Sequence, residues 1–121
     1  MTELKLCASD YKFMCLVWDN EPINSTRLAK LSEEVLGWKK STTYTMIKKL
    51  SGKKFLKNEE SIVSSVIPKS EVQAFESNYI VDNAFGGSLP AFIAAFVKSN
   101  SLSEKDKNEI RDLLDSKTEG Q

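Results

Sequence analysis

Between Gly37 and Lys57 the chain reads GWKKSTTYTMIKKLSGKKFLK, seven lysines without one carboxylate, in a protein whose 17 basic and 17 acidic residues otherwise cancel. A local positive field on a neutral chain suits a polyanion. Ammonium groups neutralise phosphates and release their condensed counterions, while interleaved hydroxyl side chains can reach base edges. Ser41 to Leu50 has helical spacing: Met46, Ile47 and Leu50 recur at i, i+1 and i+4, and Thr42, Tyr44, Thr45, Lys48 and Lys49 are left outside. One such helix fits the width of a DNA major groove. On the charge run alone, a merely solvated lysine face is the simpler account.

Other chemistries find little support. The chain contains no histidine, which removes imidazole acid-base catalysis and most zinc sites. Its two cysteines, Cys7 and Cys15, lie close together, one just before and one within a predicted helix, and read as small half-buried residues rather than a disulfide framework. They lack a base that would activate a nucleophile, and neither a Gly-rich phosphate loop nor a carboxylate cluster is present. An enzyme, a bound cofactor or a metal site is therefore not expected.

The charge is unevenly spread. Residues 1–68 hold eleven Lys and Arg against eight Asp and Glu, a balance of +3, and residues 69–121 hold six against nine, a balance of −3. A basic front joined to an acidic helical rear suits a small nucleic-acid reader. With 40% apolar and 28% charged residues, 121 residues make one compact domain or a small domain with an oligomerising appendage. The apolar run Leu89 to Val97 is too short to span a bilayer, which needs roughly 20 residues, and the N-terminus lacks a signal peptide's apolar core. A soluble cytoplasmic protein is expected.

The elements that position the basic stretch follow from periodicity and caps. Ser9 or Asp10 can cap a first helix to about Asn20, with Phe13, Met14, Leu16, Val17 and Trp18 mostly in the core. Asn20-Glu21-Pro22 turns the chain, Ile23 touches the core, and Asn24 or Ser25 caps a second helix carrying Leu28, Ala29, Leu31, Val35 and Leu36. Gly37 breaks it, Trp38 staples the entry to the third helix, Ser41 caps that helix, and Ser51-Gly52 closes it. Two tightly joined helices, the second basic outward, make a helix-turn-helix. Phe55-Leu56 and Ile62–Ile67, around the polar turn Lys57–Ser61, read as a wing or as a plain hairpin over the core. A fourth helix runs from Ser70 to about Ala84. After Phe85-Gly86-Gly87 comes a fifth, Leu89 to Lys98, apolar almost all round and so expected to be buried. A sixth, capped by Ser103, carries Ile110, Leu113 and Leu114.

The last three helices hold too little material for a core of their own. Burial against a second copy resolves this, so a homodimer is expected through Phe75, Tyr79, Ile80, Leu89, Phe92, Ile93, Phe96, Ile110, Leu113 and Leu114. The expected architecture is mostly α with a small β-hairpin wing: a winged helix-turn-helix DNA-binding domain over residues 1–68 and a helical dimerisation region over 69–121.

The chain resembles the penicillinase repressor family of bacterial transcriptional regulators, which includes the beta-lactamase, methicillin-resistance and copper-transport repressors. SDYKFMCLVW is similar to the family's A-E-W-x-V-M-x-x-x-W, with Met14 and Trp18 in step and Tyr11 at the first tryptophan. GWKKSTTYTMIKKL is similar to G-W-S-x-x-T-V-x-T-L-L-x-R-L, matching at Gly37, Trp38, Thr42, Thr45 and Leu50. FGGSLPAFIAAFVKSNSLSEKDKNEIRDLL is similar to F-x-G-S-x-x-x-L-x-x-x-F followed by L-S-x-x-E-I-x-x-L-x-x-L-L.

The resemblance implies a winged-helix homodimer that represses transcription from an inverted-repeat operator in double-stranded DNA. It places Ser41, Thr42, Tyr44, Thr45, Lys48 and Lys49 at DNA-facing positions; Lys39 and Lys40 add charge where the helix starts. Three departures bear on function. Lys39 and Lys40 replace the family's serine and proline, and Tyr44 stands where Lys or Arg is common. The wing carries serines and two glutamates in place of basic and aromatic residues. The Asn-Phe bond cleaved in antibiotic-responsive members corresponds here to Ala95-Phe96, and the closing DSKTEGQ lacks the cysteines of the copper-sensing branch. Neither induction mechanism carries over, which leaves the inducer or upstream sensor unidentified. Two other readings compete: a winged-helix protein-protein module without specific DNA binding, suggested by the acidic wing, and a ligand pocket around the fifth helix, where core packing explains Phe92 and Phe96 more simply.

Overall fold

The computed structural model describes the backbone of residues 3–119, with side chains as far as Ser116. Six helices and three short strands follow one another as α1 (Ala8–Asn20), β1 (Ile23–Asn24), α2 (Ser25–Leu36), α3 (Lys40–Gly52), β2 (Leu56–Glu59), β3 (Ile62–Ser65), α4 (Lys69–Ala84), α5 (Leu89–Ser99) and α6 (Glu104–Glu119). The chain divides into two compact units, 1–78 and 79–121. The division falls inside α4 rather than at Pro68, because Val72 on its first turns is 2% exposed and belongs to the first unit's core. Residues 120–121 of the expected dimerisation region lie outside the described residues.

The first unit has the winged-helix arrangement. Phe13, Met14 and Val17 of α1, Leu28 of α2, Ile47 and Leu50 of α3, and Phe55, Leu56 and Val63 of the sheet make one core. Each such side chain contributes about 1.5–3 kcal/mol through removal from water. The sheet is antiparallel in the order β1-β3-β2, with Ile23 opposite Val63 and Leu56 opposite Ser65. Ile23, expected only to touch the core, is thus the first residue of a third, two-residue strand at the edge of the sheet. Trp18 fixes the chain where it leaves the hairpin by donating its indole N–H to the Ile67 carbonyl at 3.0 Å.

Several expected boundaries move. α1 starts at Ala8, with Cys7 at the cap position and no side-chain cap; Asp10 is drawn inside the helix and buried. Cys7 is exposed and only Cys15 is half-buried. α4 starts one residue early, at Lys69. Val35 of α2 is 58% exposed, because its helix turns that position away from the core.

In the second unit, Ser88 caps α5 by accepting from Ala91 N–H at 3.1 Å, and Ser103 caps α6 by accepting from Asp106 N–H at 3.0 Å. Phe85 and Phe92 meet edge to face at 5.4 Å. None of the residues of the apolar fifth helix is buried within the single chain, and Leu89, Ile93, Phe96 and Val97 are each 42–50% exposed. Three short helices enclose too little volume to cover it. No single helix among the described residues is long and apolar enough to cross a bilayer.

Candidate nucleic-acid interface

Asn24 sets the start of α2, its side chain accepting from Thr26 N–H at 2.8 Å. Gly37 sets the end: at φ 72° it enters the left-handed region open to glycine, and its N–H reaches the Glu33 carbonyl at 3.1 Å. The chain reverses there, and Trp38 stacks on Phe13 at 5.6 Å with the rings 13° from parallel. That stack anchors the turn to α1 and aims the next helix.

α3 begins at Lys40, one residue before the expected Ser41 cap. Lys39 occupies the cap position without a side-chain hydrogen bond, and Ser41 stays exposed in the first turn. Nor does Gly52 close the helix. It is the last helical residue, and Lys54 at φ 67° makes the left-handed reversal. With 3.6 residues per turn, burial of Thr43, Ile47 and Leu50 puts Ser41, Thr45 and Lys48 at the middle of the outer face. Thr42 and Lys49 lie along one flank and Tyr44 along the other. All six are exposed, as are Lys39 and Lys40.

The flanks are not equally free. Lys49 turns toward α1, where its ammonium lies 2.9 Å from Asp10 Oδ2, a carboxylate only 5% exposed. Hydrogen bonding and then the charge of Asp10 raise the Lys49 pKa above the ordinary 10.5, so this cation is committed within the fold. Tyr44 turns toward α2 and donates its hydroxyl to Thr26 Oγ1 at 3.5 Å. Among the described residues, Lys40 and Lys48 make no such contact and are exposed.

Sequence reasoning missed a second cationic group. A surface cavity of about 660 Å³ beside the start of α3 is lined by Asn20, Asn24, Thr26, Arg27, Lys30, Leu31, Glu34 and Lys40. Arg27 and Lys30 are separated from the lysine run in sequence, so only the fold of α2 onto α3 puts them beside Lys40. Their spacing of i and i+3 on a capped helix was the one available signal.

The wing differs in charge. Glu59 and Ile62 face each other across a two-residue turn, and both turn residues, Glu60 and Ser61, have positive φ. This is the primed hairpin turn whose twist matches the strands, built here without glycine at a cost of order 1 kcal/mol per residue. Lys57, the wing's lysine, pairs with Glu59 at 3.2 Å, and Glu60 stays exposed at the tip. Glu21 locks the base of the hairpin, accepting from Ser65 N–H at 2.6 Å and from its hydroxyl at 2.8 Å. The wing is a fixed, weakly acidic arm.

Among the described residues no cluster of His, Cys, Asp or Glu could hold a metal ion. A capped helix, a glycine turn, a second helix with a hydroxyl-and-lysine outer face and an adjoining hairpin define a winged helix-turn-helix protein. Residues 6–116 match the family described as penicillinase repressor, and the chain belongs to that family. It is 20% identical over 117 residues to the methicillin resistance regulatory protein MecI of Staphylococcus aureus, covering 93% of this chain and 95% of that protein. To the penicillinase repressor of Staphylococcus aureus it is 19% identical over 116 residues, covering 93% and 92%. An uncharacterized 16.5 kDa protein of Latilactobacillus sakei is 26% identical over 117 residues, covering 93% of this chain and 80% of that protein.

Proposed function

We propose that this protein is a sequence-specific DNA-binding repressor of transcription that acts as a homodimer on an inverted-repeat operator. The observation that carries this reading is the division of α3: Thr43, Ile47 and Leu50 are buried, while Ser41, Thr42, Tyr44, Thr45 and Lys48 are exposed with Lys39 and Lys40 at the helix start. Hydroxyls and cations on one helical face match base edges and phosphates in a major groove. The start of α3 adds unopposed N–H groups and no acidic residue in its first turn, which favours a phosphate there. Arg27 and Lys30 extend the same positive ground along α2. In the dimer, the fourth to sixth helices supply the interface. Leu89, Ile93, Phe96, Ile110, Leu113 and Leu114, each 40–69% exposed in one chain, form its apolar contact with Ile80, and half-buried Phe75, Tyr79 and Phe92 support them. A second copy removes that apolar area from water.

Selection from a random duplex library tests the reading. A palindromic site with half-sites about one helical turn apart, bound with steep salt dependence, is the expected result. Enrichment of no sequence, with weak binding to all DNA, refutes it. The acidic wing favours one alternative, a protein-protein module, because Glu59 and Glu60 repel phosphates where a DNA-contacting wing would carry cations. That alternative predicts a partner whose binding is unaffected by Lys40→Ala and Lys48→Ala.

A further inference from the structure

We infer that Tyr44 is a specificity-determining residue that reads the C5-methyl group of a thymine, and that Thr26 positions it. The inference rests on the DNA-binding reading above. Tyr44 is the one aromatic side chain of α3, on the flank that turns toward α2 beside the hydroxyl and lysine face, and is 43% exposed. Its polar end is engaged: the phenol donates to Thr26 Oγ1 at 3.5 Å, across from α3 to the first turn of α2. The backbone of Thr26 is itself anchored, since its N–H donates to the Asn24 side chain at 2.8 Å. The exposed side chain therefore offers ring hydrocarbon beside a hydroxyl that is already paired with Thr26. A cation at this position would seek guanine O6 and N7, whereas an apolar edge is complementary to the one apolar group in the major groove, the thymine methyl. The pairing with Thr26 also lowers the entropy lost when the ring is immobilised against a base.

Deoxyuridine substitution tests this on the operator recovered by selection. Each thymine of a half-site is replaced in turn by deoxyuridine, which removes the methyl and leaves every hydrogen-bonding group. One position is expected to weaken wild-type binding by about three- to fivefold, the value of one methyl-sized burial. Tyr44→Ala binds the thymine and uracil operators equally at that position. Thr26→Val, which keeps the ring but removes the acceptor, retains binding and shows a reduced penalty. A uracil penalty that persists undiminished in Tyr44→Ala overturns the assignment, as does an operator with no methyl-sensitive thymine. An undiminished penalty in Thr26→Val removes the positioning role alone. Failure to recover any operator overturns the DNA-binding reading itself, and is seen before any uracil is introduced. Thermal unfolding of each variant, followed without DNA, checks that it remains folded; if Tyr44→Ala loses its transition it is replaced by Tyr44→Leu, which keeps apolar bulk on the helix but removes the ring and its hydroxyl.

Discussion

Thr43 lies on the inner face of α3, fully buried, with its hydroxyl lacking any hydrogen-bond partner. The family pattern quoted above has valine at this position. Thr43→Val preserves the branched shape and exchanges the orphaned hydroxyl for a methyl, so the expected effect is stabilisation. An unmade hydrogen bond on a buried polar group costs about 1–3 kcal/mol, and the lower end applies where a hydroxyl can rotate toward a poor partner. A gain of about 1–2 kcal/mol raises the melting temperature of a 60–100-residue domain by roughly 4–8 °C per kcal/mol. Calorimetry at one fixed protein concentration is the assay, since dimerisation couples stability to concentration. DNA affinity and salt dependence are expected to stay the same, because Thr43 faces inward. The sign of the shift decides the matter. If a hydrogen bond exists after all, to a buried water for example, valine destroys it and the midpoint falls. Ser32→Ala tests the same reasoning independently, because Ser32 is equally buried and its hydroxyl equally unpartnered; it is expected to be neutral or mildly stabilising.

Further outcomes follow from charge and exposure. Lys48→Ala lowers the salt slope of DNA binding by about 0.9 for one lost phosphate contact, while Lys49→Ala lowers thermal stability by orphaning the buried Asp10; equal slope changes for both would count against this division of roles. Because Asp10 raises the Lys49 pKa, the pair's stabilisation is complete below the unfolded value of 10.5 and is lost as pH rises through the higher folded value. The stability difference between wild type and Asp10→Asn is therefore expected to shrink as pH rises above 10.5, as followed by denaturant titration at stepped alkaline pH. Glu60→Lys at the exposed wing tip should strengthen binding to all DNA and steepen the salt slope by up to about 0.9; an unchanged slope places the wing away from phosphates. Ile93→Glu with Phe96→Glu puts charge on the exposed face of α5 and should yield a monomer in sedimentation, and a dimer that persists would move the interface elsewhere.

What the amino-acid order determined by itself was local. The 3.6-residue recurrence of Ile47 and Leu50 against Lys48 and Thr45, a cap at Asn24 or Ser25, the Gly37 break and the apolar residues around Val63 each act within one element, so the helices, the hairpin and the outward face of α3 were legible in the sequence, whereas the strand at Ile23–Asn24 was not. Boundaries were less so. Ser41 looked like a cap and Gly52 like a terminator, but the Trp38–Phe13 stack and the Lys54 reversal, both settled by packing, start α3 earlier and end it later. Long-range partnership was invisible. Nothing in the order of residues says that Asp10 is buried against Lys49 across 39 positions, that Tyr44 leans on Thr26, or that Arg27 and Lys30 gather beside Lys40. Burial of the fifth helix was inferred from its composition, yet a single chain leaves it exposed, because composition records what a surface needs and only tertiary structure decides whether the same chain can supply it.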